Sequence, residues 1–474
     1  MPDGFLWGVA TAAYQIEGSI AADGRGPSIW DTFSATPGAV RHGDTGAIAC
    51  DHYRRWESDL GLLTDLGVGG YRFSIAWPRI LPEGTGPVNQ AGLDHYRRLV
   101  DGLLDRGITP AVTLYHWDLP QTLQDAGGWA DRRTVAAYAE YAQVLADALG
   151  DRVPLWITHN EPWVASFLGY GSGVHAPGIR DGRAALLAAH HLLLSHAAAL
   201  PVLRRTTGQV GITLNLTPMG TPGADAVDRA AVVREDGNAN RWFLDPLLRG
   251  SYPADLVDWY GAQFDGVVRD GDLEAIHAPV DFLGINYYFR NWVIAGSDPR
   301  AHPVLPSLNT RPARPEGLPT TSMGWTVEPD ALRELLVRLR REYEDLPPIY
   351  ITENGAAYDD YVDPEGGIDD DERIAFLHAH LTALHEAVAA GVDVRGYFCW
   401  SLMDNFEWAE GYSRRFGLYF VDYGSQRRIP KASAQWYADV VKRNTVPPLP
   451  DAVPAVSPVA PEAGQDPGGS RREP

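Results

Sequence analysis

The stretch LWITHNEP at residues 155–162 decides the fold predicted for this chain. It begins as an apolar, β-rich run typical of a buried strand, and it ends on Asn160 and Glu161. A second stretch, IYITENG at residues 349–355, repeats the pattern and places Glu353 after its apolar half. Two buried strands that both end on a carboxylate predict a polar site wherever those strand ends meet.

Short β-rich runs alternate with helical patterns along most of the chain. The helical patterns place apolar residues three or four positions apart, and each is followed closely by glycine, as in a capped amphipathic helix. Parallel strands need helix-length crossovers, so this alternation predicts an α/β fold, a single (β/α)8 TIM barrel. In such a barrel the carboxyl ends of all strands share one mouth. We predict strands at residues 6–12, 70–77, 109–116, 155–160, 209–215, 282–288, 349–353 and 395–402 and helical faces within residues 51–66, 93–103, 138–149 and 374–388.

The domain organisation is predicted to be simple. Residues 1–445 form one catalytic (β/α)8 domain, and the Pro-rich residues 446–474 form a disordered tail. Three stretches rich in Gly, Pro, Ser and Thr interrupt the alternation, at residues 24–49, 216–245 and 295–330. We expect them to be long loops over the barrel mouth.

Composition excludes several classes of partner. The chain has 61 acidic and 40 basic residues and a net charge of −21, which opposes binding to nucleic acid and to anionic membranes. Its first residues lack the pattern of a signal peptide, and apolar runs fall short of the roughly 20 residues of a membrane span. Only two cysteines, Cys50 and Cys399, are present. We therefore expect a cytoplasmic protein. Its oligomeric state is left open.

A pair of carboxylates is the minimum equipment for cleaving a glycosidic bond, because one group protonates the leaving oxygen and the other attacks or activates water. Glu161 and Glu353 stand among apolar and aromatic neighbours, where an ionised group is costly unless it is paired or used. From position alone, a structural ion pair explains each glutamate as well as catalysis does.

The peptides THNEP and ITENG also resemble the acid/base and nucleophile motifs of glycoside hydrolase family 1, the β-glucosidase family. The resemblance extends over residues 3–443. It implies that Glu161 is the acid/base and Glu353 the nucleophile of a retaining enzyme, whose carboxyl groups lie about 5–5.5 Å apart. It implies neither a metal nor another cofactor.

Three further residues are expected beside the carboxylates. Arg72 lies within a β-rich run and needs an anion; the resemblance pairs it with Glu353, and a structural pair with another acid is the alternative. Tyr288 is expected to donate a hydrogen bond to Glu353, and Asn286 lies two residues before it in the same predicted strand.

Four segments match the family's sugar-site motifs, namely YQIEG at 14–18, YHWDLP at 115–120, WSLMDNFEW at 400–408 and RFGL at 415–418. A hexose needs polar partners for its hydroxyls and an aromatic platform for its faces. Taken singly, a core histidine, an ordinary glutamine or a packing tryptophan would explain most of these residues. The resemblance implies substrate contacts from Gln15, His116, Trp117, Asn160, Tyr288, Trp400, Glu407, Trp408 and Phe416, with Trp325, Trp163 and Phe167 shaping the leaving-group side.

Glu407 restricts the sugar, because a carboxylate near position 6 repels a 6-phosphate. The expected partners are therefore small β-glucosides or cello-oligosaccharides. The alternatives are galactose or fucose specificity or transglycosylation in the same site, and, from another class, a catalytically silent sugar-binding protein. His190, His191 and His196 lie in an Ala/Leu-rich helix and are expected to pack rather than to bind metal.

Overall fold

The computed structural model describes residues 1–296 and 307–450 together with residues 453, 455 and 456. Eight parallel strands form a closed barrel, in the order β1-β8-β7-β6-β5-β4-β3-β2. The predicted (β/α)8 barrel is confirmed. The strands are β1 Leu6–Ala10, β2 Gly70–Ser74, β3 Thr109–Tyr115, β4 Leu155–Asn160, β5 Gln209–Asn215, β6 Phe282–Asn286, β7 Ile349–Asn354 and β8 Val394–Trp400.

Several predicted strands extend too far at their carboxyl ends. The first, second, sixth and eighth end two or three residues early, at Ala10, Ser74, Asn286 and Trp400. Residues 11–12, 75–77 and 287–288 leave the sheet at the mouth, where short helices such as Ala13–Ile16 and Trp77–Ile80 begin. Apolar β-formers continue past the last paired residue because the mouth is itself buried.

The predicted helical faces are all present. The α-helices of eight or more residues are α1 His52–Leu66, α2 Gln90–Leu104, α3 Arg133–Leu149, α4 Gly182–Leu203, α5 Ala226–Asp236, α6 Trp242–Arg249, α7 Pro329–Glu342, α8 Asp371–Ala389 and α9 Ala432–Arg443. Shorter helices span Ile29–Ser34, Gln121–Asp125, Ala254–Tyr260 and Asp272–Ile276. Helix α1 ends as its sequence predicts, at Gly67, whose φ of +66° suits glycine.

Two β-bulges aim side chains into the barrel. In β4, Ile157 pairs with Gly211 but Asn160 pairs with Thr213, so β4 carries one extra residue before Asn160. In β7, Ile351 pairs with Ile285 but Glu353 pairs with Asn286, again with one extra residue. A bulge breaks the strict alternation of side chains and redirects the residues after it. Both carboxylate-bearing strands use this device at their mouth end.

The three stretches expected to be loops differ from one another. Residues 216–245 are largely helical, because α5, a π-helical segment at Gly237–Arg241 and the first half of α6 lie within them, so the loop prediction is wrong there. Residues 24–49 contain the helix Ile29–Ser34. In the described part of 295–330, Thr310–Pro312 pairs with Asn291–Ala295; residues 297–306 lie outside the described residues. Two further strands, Tyr419–Asp422 and Arg427–Pro430, form an antiparallel pair.

The packed body continues slightly past residue 445. Val446 and Leu449 are partly buried against the core, and Val453 is buried, so disorder does not begin at residue 446. Residues 457–474 of the expected disordered tail lie outside the described residues.

Helix α4 is the exception to the expectation that no apolar run reaches membrane length. Its 22 residues are long and apolar enough to span a membrane by composition alone. Most of the helix is buried in the protein, where it packs against α3. A core helix of a soluble protein has the same features.

Candidate active site

A cavity of about 490 Å³ opens at the carboxyl ends of the barrel strands. Both Glu161 and Glu353 line it. The structure also brings to its wall the predicted residues His116, Trp117, Asn286, Tyr288, Trp325, Trp400, Glu407, Trp408 and Phe416. The other predicted residues, Gln15, Arg72 and Asn160, are buried and do not line it. Arg72 and Asn160 are hydrogen-bonded to the wall residues Glu353 and His116, and Gln15 to the segment that precedes Glu407. Thus one site contains residues from almost the whole length of the chain.

Glu353 is held by a cation and a phenol. Arg72 donates from Nη1 to Oε1 of Glu353 at 2.5 Å, and the Tyr288 hydroxyl donates to Oε2 at 2.6 Å. The guanidinium is fully buried, so this ion pair is shielded from water. Burial and the adjacent Glu353 charge raise the pKa of Tyr288 well above its usual value, so the phenol remains a donor. Both oxygens of Glu353 therefore accept strong hydrogen bonds in its charged form.

Glu161 has a different environment. Its Oε1 accepts a hydrogen bond, of 2.6 Å, from the side-chain amide of Asn286. Burial, followed by the charge on Glu353, raises the pKa of Glu161 to about 8, against the opposing effects of Asn286 and Arg72. A carboxyl group with this pKa carries a proton at neutral pH. Glu161 is thus placed to donate a proton, and Glu353 to attack as an anion.

Asn160 connects the two halves of the site. Its Oδ1 accepts from Arg72 Nη2 at 2.6 Å and from Asn286 Nδ2 at 3.0 Å. Its amide nitrogen lies 3.0 Å from Nε2 of His116. Burial and the charge of Arg72 hold the pKa of His116 well below its usual value, so this imidazole is neutral. A neutral ring can accept from Asn160 and present its other nitrogen as a donor.

Two threonines support the acid side of the site, and sequence reasoning missed both. The Thr213 hydroxyl donates to Thr352 Oγ1 at 3.2 Å, and the Thr352 hydroxyl donates to Asn286 Oδ1 at 2.7 Å. The chain of hydrogen bonds ends at Glu161 through the Asn286 amide. It fixes which end of that amide faces Glu161. From the sequence alone, the two threonines indicate only that their segments favour β-strands.

An aromatic wall and a third carboxylate face the pair. His116 lies 6.0 Å from Trp400 and 5.9 Å from Trp408 between ring centroids, with nearly parallel planes. Burial and the nearby Glu353 raise the pKa of Glu407 to about 8, and its Oε2 has no hydrogen-bond partner among the described residues. The arrangement offers flat apolar faces and an open polar group, as a sugar requires.

The backbone at the site is strained at three residues. Trp117, Glu161 and Trp408 have φ of +81°, +49° and +48°, values that side-chain-bearing residues rarely adopt. Such strain persists only where the surrounding structure enforces it, and it concentrates at functional sites. All three residues line the cavity.

A buried ionic cluster supports the segment that carries Glu407. Lys431 donates to Asp404 at 2.7 Å and to Asp360 at 2.6 Å, and Arg415 donates to Asp404 at 2.6 Å. Lys431 and the two aspartates are almost fully buried. These contacts tie the segment after β8 to the segment after β7, so the sugar wall and Glu353 are fixed in one frame.

Gln15 and Trp325 have positions that sequence could not specify. Gln15 uses its amide nitrogen to hold Asn405 and the Phe406 carbonyl, and its Oε1 has no partner among the described residues. Trp325 stacks on Phe289 at 5.1 Å and lies 5.3 Å from Tyr288. Trp325 therefore lies beside the tyrosine that contacts Glu353 and also forms part of the cavity wall.

Several outer wall residues were not anticipated, and one aromatic residue was misplaced. Phe167, expected on the leaving-group side, is fully buried behind Trp163. The missed wall residues are Asn215, Thr217, Met219, Glu235, Asn291, His175, Phe289 and Met323. Asn215 ends β5, so a search for polar residues at strand ends would have found it.

No metal centre competes with this interpretation in the part of the chain that the structure describes. Within it, no group of three or more His, Cys, Asp or Glu residues is placed to hold a metal ion. His190 instead contacts Asp272 at 2.9 Å, His191 contacts the Trp129 carbonyl at 2.8 Å and His196 contacts the Thr158 hydroxyl at 2.7 Å. The three histidines are thus buried and hydrogen-bonded within the protein interior.

Comparison with known proteins agrees with this geometry. A family model described as glycosyl hydrolase family 1 matches residues 1–446. "Beta-glucosidase A" of Thermotoga maritima is 50% identical over 447 residues, which cover 94% of this chain and 98% of the relative. A "bifunctional beta-D-glucosidase/beta-D-fucosidase" of Bifidobacterium breve is 49% identical, with 92% and 97% covered. A structure of the Thermotoga maritima β-glucosidase in complex with castanospermine superposes with a TM-score of 0.90 at 48% identity, and covers 94% of this chain and 99% of that one. The chain belongs to glycosyl hydrolase family 1.

Proposed function

We propose that this protein is a retaining β-glucosidase, which releases terminal non-reducing β-D-glucosyl residues from small β-glucosides by double displacement. The observation that carries the proposal is the pair of carboxylates in one cavity with opposite neighbours. Glu353 is paired with Arg72, whereas Glu161 lies in a site that raises its pKa to about 8. One group is thus prepared to attack and the other to give a proton.

In the first step, an oxygen of Glu353 attacks the anomeric carbon, and the bond from that carbon to the leaving oxygen breaks. Glu161 gives its proton to the leaving oxygen, so the departing group leaves as a neutral alcohol. The Arg72 charge and the Tyr288 hydroxyl hold Glu353 in position while the ester forms. The developing positive charge on the sugar is met by the carboxylate of Glu353 in a buried site.

In the second step, water takes the place of the leaving alcohol. Esterification has removed the negative charge of Glu353, one of the causes of the raised pKa of Glu161, so that pKa falls. Glu161 then accepts a proton from water as the water attacks the anomeric carbon and Glu353 is released. Two inversions give a product with the configuration of the substrate.

Glucose is the proposed glycone. Glu407, Trp408 and His116 present a carboxyl group and ring nitrogens around the sugar end of the cavity. Because its pKa is raised to about 8, the Glu407 carboxyl can donate as well as accept a hydrogen bond to a sugar hydroxyl at neutral pH. Fucosides are the second candidate, because the Bifidobacterium breve relative is named for both activities. Galactosides and transglycosylation are further alternatives in the same site. The ratio of kcat/KM values on aryl glucoside, fucoside and galactoside ranks the glycones.

Hydrolysis of 4-nitrophenyl β-D-glucoside tests the proposal directly. Turnover is expected, and proton NMR at early times should show β-glucose as the first product. First formation of α-glucose would reject the double displacement. Absence of turnover together with glucose binding would favour a silent sugar-binding protein.

We also propose that the protein acts in the cytoplasm. Both cysteines are free and buried, as a reducing compartment allows, and the charge of −21 favours solubility. Fractionation of cells that make the native protein tests this, and activity in the medium would reject it.

A further inference from the structure

A small internal cavity, of about 10 Å³, lies where the segments that follow β1, β2 and β3 meet. Among the residues that the structure describes, none lines both this cavity and the active-site cavity. It has nine lining residues, and all of them except Ile20 are buried. A space of this size accommodates about one water molecule. We call it the Asp118 cavity, after one of its lining residues.

The Asp118 carboxyl group lacks the partners that a buried polar group needs. Only 1% of the residue is exposed, and neither Oδ1 nor Oδ2 has a hydrogen-bond partner among the described residues. Most buried polar atoms are hydrogen-bonded either to protein or to ordered water, because leaving them unpaired costs free energy. The cavity beside this carboxyl group is therefore the place where its missing partner would bind.

Two other polar residues of the wall have hydrogen-bonding capacity left over. Arg25 makes its short hydrogen bonds from Nη1, and its Nη2 makes only a contact of 3.5 Å with Ser28. Glu17 accepts one hydrogen bond on each carboxylate oxygen, and each oxygen can accept a second. Tyr14 also lines the cavity and is neutral, because burial raises the pKa of its phenol. Asp118, Arg25 and Glu17 thus offer a water the two to four polar partners, or about that number, that it needs.

The charges around Asp118 favour its neutral form. Burial raises the pKa of Asp118 to about 8; Arg25 opposes this shift, whereas Glu17 and Asp31 add to it. Both nearby cations already have partners, since Arg25 pairs with Asp31 at 2.8 Å and Arg79 pairs with Glu17 at 2.9 Å. An ionised Asp118 would be a third buried carboxylate beside two cations, which is unfavourable.

We propose that the Asp118 cavity holds one internal water molecule, bound by Asp118 as a neutral carboxylic acid. A neutral acid offers no charge to a cation, and in the described part of the chain no group of three or more His, Cys, Asp or Glu residues is placed to hold a metal ion. Asp118 directly follows Trp117, whose φ is +81° and whose indole donates to the Asn160 carbonyl at 2.9 Å. The water would thus connect the segment after β3 to those after β1 and β2, whether or not the protein is a β-glucosidase.

A high-resolution crystal structure of the unmodified protein tests the ligand. At about pH 6, where the carboxyl is protonated, we expect an ordered water within hydrogen-bond distance of an Asp118 oxygen. An empty cavity, or a direct hydrogen bond from Asp118 to another side chain, would overturn the proposal. Thermal unfolding in sodium, potassium and choline chloride at equal concentration should give the same Tm. A rise in Tm specific to one metal cation would assign the cavity to that cation and overturn the proposal.

Asp118→Asn tests the protonation state, because an amide has the shape of the neutral acid and does not titrate. Between the ordinary pKa of 3.8 and a pKa of about 8, the unfolded chain has released a proton that the folded protein keeps. The unmodified protein therefore loses stability relative to the variant as the pH rises through this range. The Tm of the variant minus that of the unmodified protein should increase by about 3–4 °C from about pH 5 to about pH 8, as measured by calorimetry.

Asp105→Asn is the matched control, at an exposed aspartate that follows α2. Its Tm difference from the unmodified protein should stay constant over the same pH range. A constant difference for Asp118→Asn as well would mean that Asp118 is ionised in the folded protein, and would overturn the proposal. The crystal structure and the salt series need no variant, so they decide the question even if Asp118→Asn does not fold.

Discussion

Glu161 and Glu353 occupy matching places in the barrel and have opposite electrostatic surroundings. Glu161 directly follows the bulged end of β4, Glu353 directly follows the bulge within β7, and both line the same cavity. Glu353 contacts the buried guanidinium of Arg72, whereas the hydrogen-bond donor to Glu161 is the neutral amide of Asn286. The roles proposed for the two carboxylates therefore rest on their neighbours more than on strand position.

Replacement of Glu353 is the strongest test of this comparison. Glu353→Gln keeps the shape of the side chain but removes the attacking anion, so kcat should fall on the order of 10⁴-fold or more. In Glu353→Ala, added azide should restore part of the activity and give an α-glycosyl azide, because only one inversion remains. Steady-state kinetics and product NMR measure both effects. Full activity in either variant would remove Glu353 from the nucleophile role.

Replacement of Glu161 should depend on the leaving group. Glu161→Ala should lose about 10²–10⁴-fold in kcat/KM on cellobiose, whose leaving hydroxyl needs a proton. An activated 2,4-dinitrophenyl glucoside needs little protonation, so its first step should be much less impaired. A plot of log kcat/KM against leaving-group pKa measures the difference. Equal losses across the series would reject the acid/base role.

Arg72 is expected to matter next, since it marks the main electrostatic difference between the two carboxylates. Arg72→Lys keeps the positive charge but loses the fork that joins Glu353 to Asn160. We expect kcat to fall on the order of 10²–10³-fold, as for loss of one preorganised donor. Arg97→Lys, at a half-buried position outside the cavity, is the control and should retain full activity. A loss confined to KM would instead make Arg72 a substrate-binding residue.

The raised pKa of Glu161 predicts how kcat/KM falls at alkaline pH, on the alkaline limb of the pH profile. Below about pH 8 the group is protonated and can act as an acid; above it the proton is lost. On cellobiose, kcat/KM should therefore fall about tenfold per pH unit well above pH 8. Glu407 has a pKa in the same range, so Glu407→Gln distinguishes the two groups. If the limb persists in Glu407→Gln and disappears in Glu161→Gln on an activated substrate, it belongs to Glu161.

The sequence could predict the barrel and the carboxylates because both follow from local pattern. Alternating β and α periodicity implies a parallel sheet, and the peptides around residues 161 and 353 are distinctive. The bulges were not predictable, because a bulge is defined by pairing with a neighbouring strand. For the same reason Thr352 was missed as a neighbour of Asn286, and Phe167 was wrongly expected on the leaving-group side. Whether a residue in a strand or helix faces the site depends on register and packing.

Thr352 gives the smallest expected effect, and it tests how the acid side is positioned. The Thr352 hydroxyl donates to Asn286 Oδ1 and so turns the amide nitrogen of Asn286 toward Glu161. Thr352→Val keeps the shape and removes that donor, which should lower kcat/KM on cellobiose about 2–10-fold, the effect of one neutral hydrogen bond. The activated aryl glucoside should be less affected, because it depends less on Glu161. Thr113→Val is the matched control, since the buried Thr113 hydroxyl has no hydrogen-bond partner among the described residues. An equal loss in both variants, or a loss that is the same on both substrates, would mean that Thr352 stabilises the barrel without acting on Glu161.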